Sequence, residues 1–313
     1  MKTKTIKATL RKKIDDWIAS VEDPELIERL RKDTIVTGGA IASMLLREPV
    51  NDYDIYFRTR ETALAVAQYY VSRFERKEVH GIKVPIFVAE DGDRIKIVVK
   101  SAGIASEDST KEEYQYFEND DDPDAMAAQQ YIGEIMQDPG DIEDAYEETE
   151  VMALENDKPP YRPVFLSTNA ITLAGKIQII IRFWGEPDEI HENYDFVHCT
   201  NYWMAHNGHL ELRPAALEAL LTRELRYVGS KYPICSLIRV RKFVRRNWTI
   251  NAGQMLKMCM QVSALDLTDI KVLEDQLTGV DVAYFAEVIS KLREKDKDRV
   301  DNAYLLEIID RMF

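Results

Sequence analysis

Cysteine is scarce in this chain, with three (Cys199, Cys235, Cys259) in 313 residues. So few exclude a disulfide framework, and a reducing, cytoplasmic setting is the expectation. No run of 18 or more apolar residues occurs, so no membrane span is expected. The N-terminus, MKTKTIKATLRKKIDDWIASV, is basic but lacks the continuous apolar core of a secretory signal. Its apolar residues Leu10, Ile14, Trp17, Ile18 and Val21 recur at helical spacing and predict an amphipathic helix. Also missing are a Ser-His-Asp elbow, a P-loop and a dinucleotide-binding glycine fingerprint. Zinc is disfavoured as well. His198, Cys199, His206 and His209 match no structural-zinc spacing, and the adjacent His198 and Cys199 would point apart on a strand.

What the chain does have is acid, in one place. Residues 101–160 hold 19 Asp or Glu against Lys111 and Lys158, a local charge of −17 within a net of −14. The other residues therefore sum to +3. A bulk-charge argument against a nucleic-acid partner fails, because the acidity belongs to a segment that reads as a solvated insertion. That insertion is also a candidate site for a protein partner. With 45% apolar and 31% charged residues, the chain is of ordinary globular composition and long enough for two domains.

The pattern predicts an α+β protein. A mixed sheet flanked by helices occupies residues 1–205, interrupted by the insertion at 101–160, and a helical domain occupies 206–313. Helices are expected up to residue 32, the second opening at Asp23-Pro24, with another over Thr62 to Arg73. A hairpin is expected around Asp91-Gly92, and sheet strands over Pro163 to Leu166, Ala170 to Leu173 and Ile177 to Phe183. From Arg213 onward the periodicity is helical, broken at Tyr227 to Pro233 and near Thr249 to Ala252. The run MLKMCM (Met255 to Met260) reads as core, with a flexible binding surface as the alternative, and Cys235 and Cys259 read as packing residues.

The chemistry concentrates in IVTGGAIASMLLREPVNDYDIYF, residues 35–57. A short apolar run enters Gly38-Gly39, a segment of small and apolar residues comes next, and Asp52 and Asp54 then alternate with Tyr53 and Ile55. Alternate residues on a strand share a face, so the two carboxylates project together, about 6–7 Å apart along it. Paired carboxylates near a glycine turn at a helix N-terminus suit a divalent metal and a triphosphate.

This stretch resembles the signature of the polymerase-β-like nucleotidyltransferase superfamily. The resemblance implies that Asp52 and Asp54 hold two Mg²⁺ ions, with Gly38, Gly39 and Ser43 cradling the triphosphate. It also implies a third acid on a neighbouring strand. Lys96 has the wrong charge for that role, whereas Asp195 in YDFVHC has the expected apolar flanks and becomes the candidate third ligand.

Residues 233–250, PICSLIRVRKFVRRNWTI, are similar to the segment after the catalytic domain of CCA-adding enzymes and bacterial poly(A) polymerases. Arg239 and Lys242 fall on two of its three basic positions, Phe243 on its phenylalanine and Asn247-Trp248 on its Gly-Phe pair. The sequence departs at Ser236, where the first arginine would stand, and no Asp-Pro precedes it. Arg239, Lys242 and Arg246 share helical spacing and could grip a nucleotide or an RNA backbone.

The function these likenesses imply is magnesium-dependent transfer of a nucleoside monophosphate from an NTP, ATP or CTP, to an acceptor hydroxyl. An RNA 3′ end of tRNA type is the preferred acceptor, which would place the protein in tRNA processing. The alternatives are a protein or small-molecule acceptor, or the same fold kept as a non-catalytic binding or assembly module.

Overall fold

The structure, a computed structural model, describes residues 1–74, 86–99, 160–167 and 169–269, together with 78–79, 82–83, 117–118, 272 and 276. These fall into two compact units. One holds the chain up to residue 118, then 160–190 and 201–211; the other holds 191–200 and the chain from 212. Among the described residues the chain crosses between the units three times. The acidic insertion lies outside the described residues apart from 117–118 and 160.

In the first unit, α1 (Thr3–Ala19) buries Ile6, Leu10, Ile14, Trp17 and Ile18, the stripe that its periodicity demands. Trp17 Nε1 donates to the Tyr70 hydroxyl at 2.7 Å. α2 (Pro24–Asp33) opens on Asp23, whose carboxylate accepts from the Glu25 and Leu26 amides, with proline at the first helical position. Next come β1 (Thr34–Thr37), α3 (Gly39–Leu46), β2 (Tyr53–Phe57) and α4 (Arg60–Arg73). The buried Asp33 accepts from the Thr59 and Thr62 hydroxyls at 2.9 and 2.6 Å, which fastens the end of α2 to the start of α4. β3 (Glu78–Val79) pairs with β4 (Ile82–Lys83), and β5 (Ile86–Asp91) with β6 (Arg94–Val99) around Gly92 at φ +57°.

The main sheet adds β7 (Phe117–Glu118), β8 (Pro163–Leu166), β9 (Ala170–Leu173), β10 (Ile177–Trp184), β11 (Tyr202–Met204) and β12 (Leu210–Glu211). Its order is β12-β11-β1-β2-β10-β9-β8-β7. All pairs are antiparallel except β2 with β10, so the sheet is mixed and β2 lies inside it. Ile177, Ile179, Ile180 and Ile181 are all fully buried, as the β-branched run of β10 requires. After β10, the short helix α5 (Pro187–His191) begins.

In the second unit, a 3₁₀ turn (Val197–Cys199) precedes α6 (Pro214–Thr222), α7 (Pro233–Arg245) and α8 (Ala252–Ser263). Asn251 caps α8 by accepting from the Gln254 amide at 3.1 Å. The expectation that MLKMCM is core is corrected here. Met258 alone of that run is buried, while Met255, Leu256, Cys259 and Met260 are exposed, because α8 rests on its neighbours through one narrow stripe. None of the three cysteines forms a disulfide. Among the described residues no helix is long and apolar enough to cross a membrane.

Candidate active site

β1 delivers the chain into Gly38 at φ +92°, ψ −150°, a conformation open essentially to glycine alone. The bend starts α3 directly over β2. A Cβ on Gly38 would collide with the Asp54 carboxylate, so that carboxylate lies against bare backbone. Gly39 is different: a Cβ there meets nothing within 4 Å and faces open space. Ser43 is half-buried one turn further into α3.

The register builds the rest of the face. Thr37 pairs with Asp54 across β1–β2 and with Tyr202 across β1–β11. Asp54 pairs with Gln178 on the parallel strand β10, and Gln178 with Thr172 on β9. Tyr202 pairs in turn with Glu211 on β12. Paired residues on adjacent strands project to the same side, so Glu211, Tyr202, Thr37, Asp54, Gln178 and Thr172 form one polar row across the sheet. The Thr37 hydroxyl donates to the Asn201 carbonyl at 2.9 Å, which ties the end of β1 to the entry of β11. Asp52 immediately precedes β2 and is half-buried, as is Asp54.

Of the residues expected from sequence, the structure therefore places Gly38, Gly39, Ser43, Asp52 and Asp54 in the first unit, around the β1–α3–β2 corner. Lys96 lies on β6, in a hairpin that is not hydrogen-bonded into the main sheet. The neighbouring-strand position beside Asp54 belongs to Gln178, a residue that sequence reasoning did not single out. The sole sequence signal for it was the one polar side chain between Ile177 and Ile181.

Asp195 and Arg239 belong to the second unit. Asp195 stands in a bend rather than on a strand. The Phe196–Tyr227 bridge and the 3₁₀ turn come directly after it. It is 8% exposed, and its Oδ2 accepts from Arg239 Nη1 at 2.7 Å. The two residues assigned from sequence to metal and to nucleotide thus meet in one ion pair. Lys242 is exposed on α7.

Behind Arg239, Phe243 packs edge-on against His198 (4.8 Å) and Phe196 (5.6 Å), and Trp248 lies 4.3 Å from His198. Burial in this aromatic nest pushes the His198 imidazole down to about 4, against the opposing pull of Asp195. Its Nδ1 has no hydrogen-bond partner among the described residues.

The Asp54 carboxylate with the Gln178 amide in register beside it, and the Asp52 carboxylate just before β2, are oxygen donors. Among the described residues no three His, Cys, Asp or Glu side chains gather as a ligand set. Magnesium commonly takes one or two protein carboxylates and fills its shell with water and substrate phosphate, so this donor set fits it.

The model of the family described as "Gabija anti-defense 2 family protein" matches residues 8–223. A curated relative, "Gabija anti-defense 2" of Bacillus phage SPbetaL7, is 25% identical over 139 residues, 44% of this chain and 33% of its own length. The chain thus spans about a third of the curated relative it matches. Among solved structures, the Thermotoga maritima CCA-adding enzyme complexed with tRNA-CCA aligns at TM-score 0.37 and 12% identity, over 88% of this chain and 53% of that one. The Bacillus stearothermophilus CCA-adding enzyme in complex with CTP aligns at 0.36 and 11%, over 88% and 52%. Likenesses this shallow say nothing of activity.

Proposed function

Because the chain belongs to the Gabija anti-defense 2 family, we propose that it acts against the Gabija defence, and that it does so as a nucleotidyltransferase moving an NMP from an NTP to an acceptor hydroxyl. The observation that carries this reading is the corner where Gly38, at φ +92°, brings the start of α3 onto the Asp54 carboxylate. A helix N-terminus with unpaired backbone amides draws phosphate oxygens, and the open space at Gly39 leaves room for them. Asp52 and Asp54 would hold magnesium, which supplies charge neutralisation at the triphosphate and activation of the attacking hydroxyl. Gln178, in register with Asp54, offers a neutral amide that can orient a hydroxyl or a phosphate oxygen but cannot take a proton from it.

The test is transfer of label from α-labelled ATP or CTP, with magnesium, to RNA or to purified Gabija proteins. Label on either acceptor that disappears with Asp54→Asn supports the reading. An Asp54→Asn variant that labels as well as the wild type overturns it. A second reading, a binding module without turnover, is favoured by one observation: the residue in register with Asp54 on the neighbouring strand β10 is an amide, Gln178, and not an acid. That reading predicts NTP binding without label on any acceptor.

A further inference from the structure

Nine large apolar side chains are exposed among the described residues, and seven of them fall between Leu221 and Met260 in the second unit. Scattered exposed apolar residues are normal on any protein, but a concentration of them marks an interface. The same stretch is strongly basic. Residues 212–263 carry ten Lys or Arg against Glu218 and Glu224, a local charge of +8 in a chain of net −14. Both acids are already engaged by Arg226, at 2.8 and 3.7 Å.

The two properties coincide on α7 and α8, which pack against each other. On α7, Leu237, Arg241, Val244 and Arg245 are exposed at i, i+4, i+7 and i+8, one face of the helix. On α8, Leu256 is 61% and Met260 64% exposed, one turn apart, with Met255 beside them.

We propose that this α7–α8 face docks a protein partner through an acidic surface with apolar side chains at its centre. Charge complementarity sets the acidity, since docking an acidic surface offsets the repulsion among the clustered cations. The apolar content sets the class of macromolecule. Single-stranded nucleic acid is gripped by basic residues interleaved with exposed aromatic rings on which bases stack. Here the rings, Phe243 and Trp248, are turned in against His198. The exposed groups are aliphatic or thioether, and methionine adapts its shape to a protein surface. The inference does not rest on nucleotidyl transfer and stands if the Asp52–Asp54 chemistry fails.

The experiment uses the full chain and three fluorescent probes: an amphipathic helical peptide of about 20 residues with leucine on one face and glutamate on the other, a shuffled version of that peptide, and a single-stranded RNA of about 20 nucleotides. Anisotropy should show micromolar binding to the amphipathic peptide and about tenfold weaker binding to the shuffled one. The double variants Arg241→Glu/Arg245→Glu and Leu256→Ser/Met260→Ser should each weaken peptide binding about tenfold, with the fold retained because all four side chains are exposed. Three outcomes overturn the proposal. One is RNA bound more tightly than the peptide; another is peptide binding indifferent to Leu256→Ser/Met260→Ser. The third is sedimentation of a dimer that this pair dissolves, which would assign the face to a second copy of the chain.

Discussion

Gly38 and Gly39 are neighbours in sequence but face different tests, and alanine at each position separates structure from chemistry. Gly38 sits at φ +92°, ψ −150°, where an L side chain costs about 1–3 kcal/mol. For a domain of this size, that corresponds to a fall in melting temperature of about 2–10 °C. The added methyl would also occupy the place of the Asp54 carboxylate. Asp54 must then move, and a displacement of about 1 Å at a reacting centre costs on the order of 100-fold in rate. Gly39 carries no such penalty: its φ lies outside the left-handed region and its Cβ would meet nothing within 4 Å. Gly39→Ala should therefore melt within about 0.5 kcal/mol of wild type. Yet the new methyl projects into the space assigned to the triphosphate, so NTP affinity should fall about tenfold. Differential scanning fluorimetry reads the stabilities, and titration with a labelled NTP analogue reads the affinities. Gly38→Ala melting with the wild type would refute the close approach to Asp54. Gly39→Ala binding NTP as the wild type does would refute the cradle.

Three further outcomes rest on the same geometry. His198 takes its proton near pH 4 in the fold but near 6.5 when exposed. The unfolded chain therefore binds the extra proton in that window, and stability is complete above about pH 6.5 and drains as pH falls toward 4, by at most about 3 kcal/mol. Urea midpoints at pH 7 and 4.5 should differ less for His198→Phe than for wild type, and equal differences would refute the buried, neutral imidazole. Asp195→Asn removes a charged partner 2.7 Å from Arg239 and should cost about 1.5–3 kcal/mol. A double-mutant cycle with Arg239→Met that shows no coupling would dismiss the pair. Gln178→Glu places a third carboxylate beside Asp54, so Mn²⁺ should bind tighter by about tenfold by calorimetry. Unchanged affinity would mean that the register does not bring residue 178 to the carboxylates.

Elements with strong local signals were legible in the sequence. The Asp23-Pro24 cap, the glycine turn at Asp91-Gly92, the strands at Pro163, Ala170 and Ile177, and the helix breaks at Tyr227 and Thr249 all appear where propensity and turn chemistry put them. Pairing across long separations was not legible. Nothing local to Tyr202–Met204 shows that it joins β1, or that β10 runs parallel to β2, because sheet order depends on crossover connections rather than on strand composition. The role of Gln178 depends entirely on that register. The Asp195–Arg239 pair was hidden for the same reason, with 44 residues separating the partners. α8 misled because its apolar pattern suits a core, while the second unit leaves most of it uncovered.

Plaque counts of a Gabija-sensitive phage, plated on cells that carry the Gabija defence and express this protein or its Asp54→Asn variant, bear most directly on the proposed role. The wild-type chain should restore plating, and Asp54→Asn, expressed at the same level with the same melting temperature, should not. Full restoration by Asp54→Asn would contradict that role, separating anti-defence from the Asp52–Asp54 site.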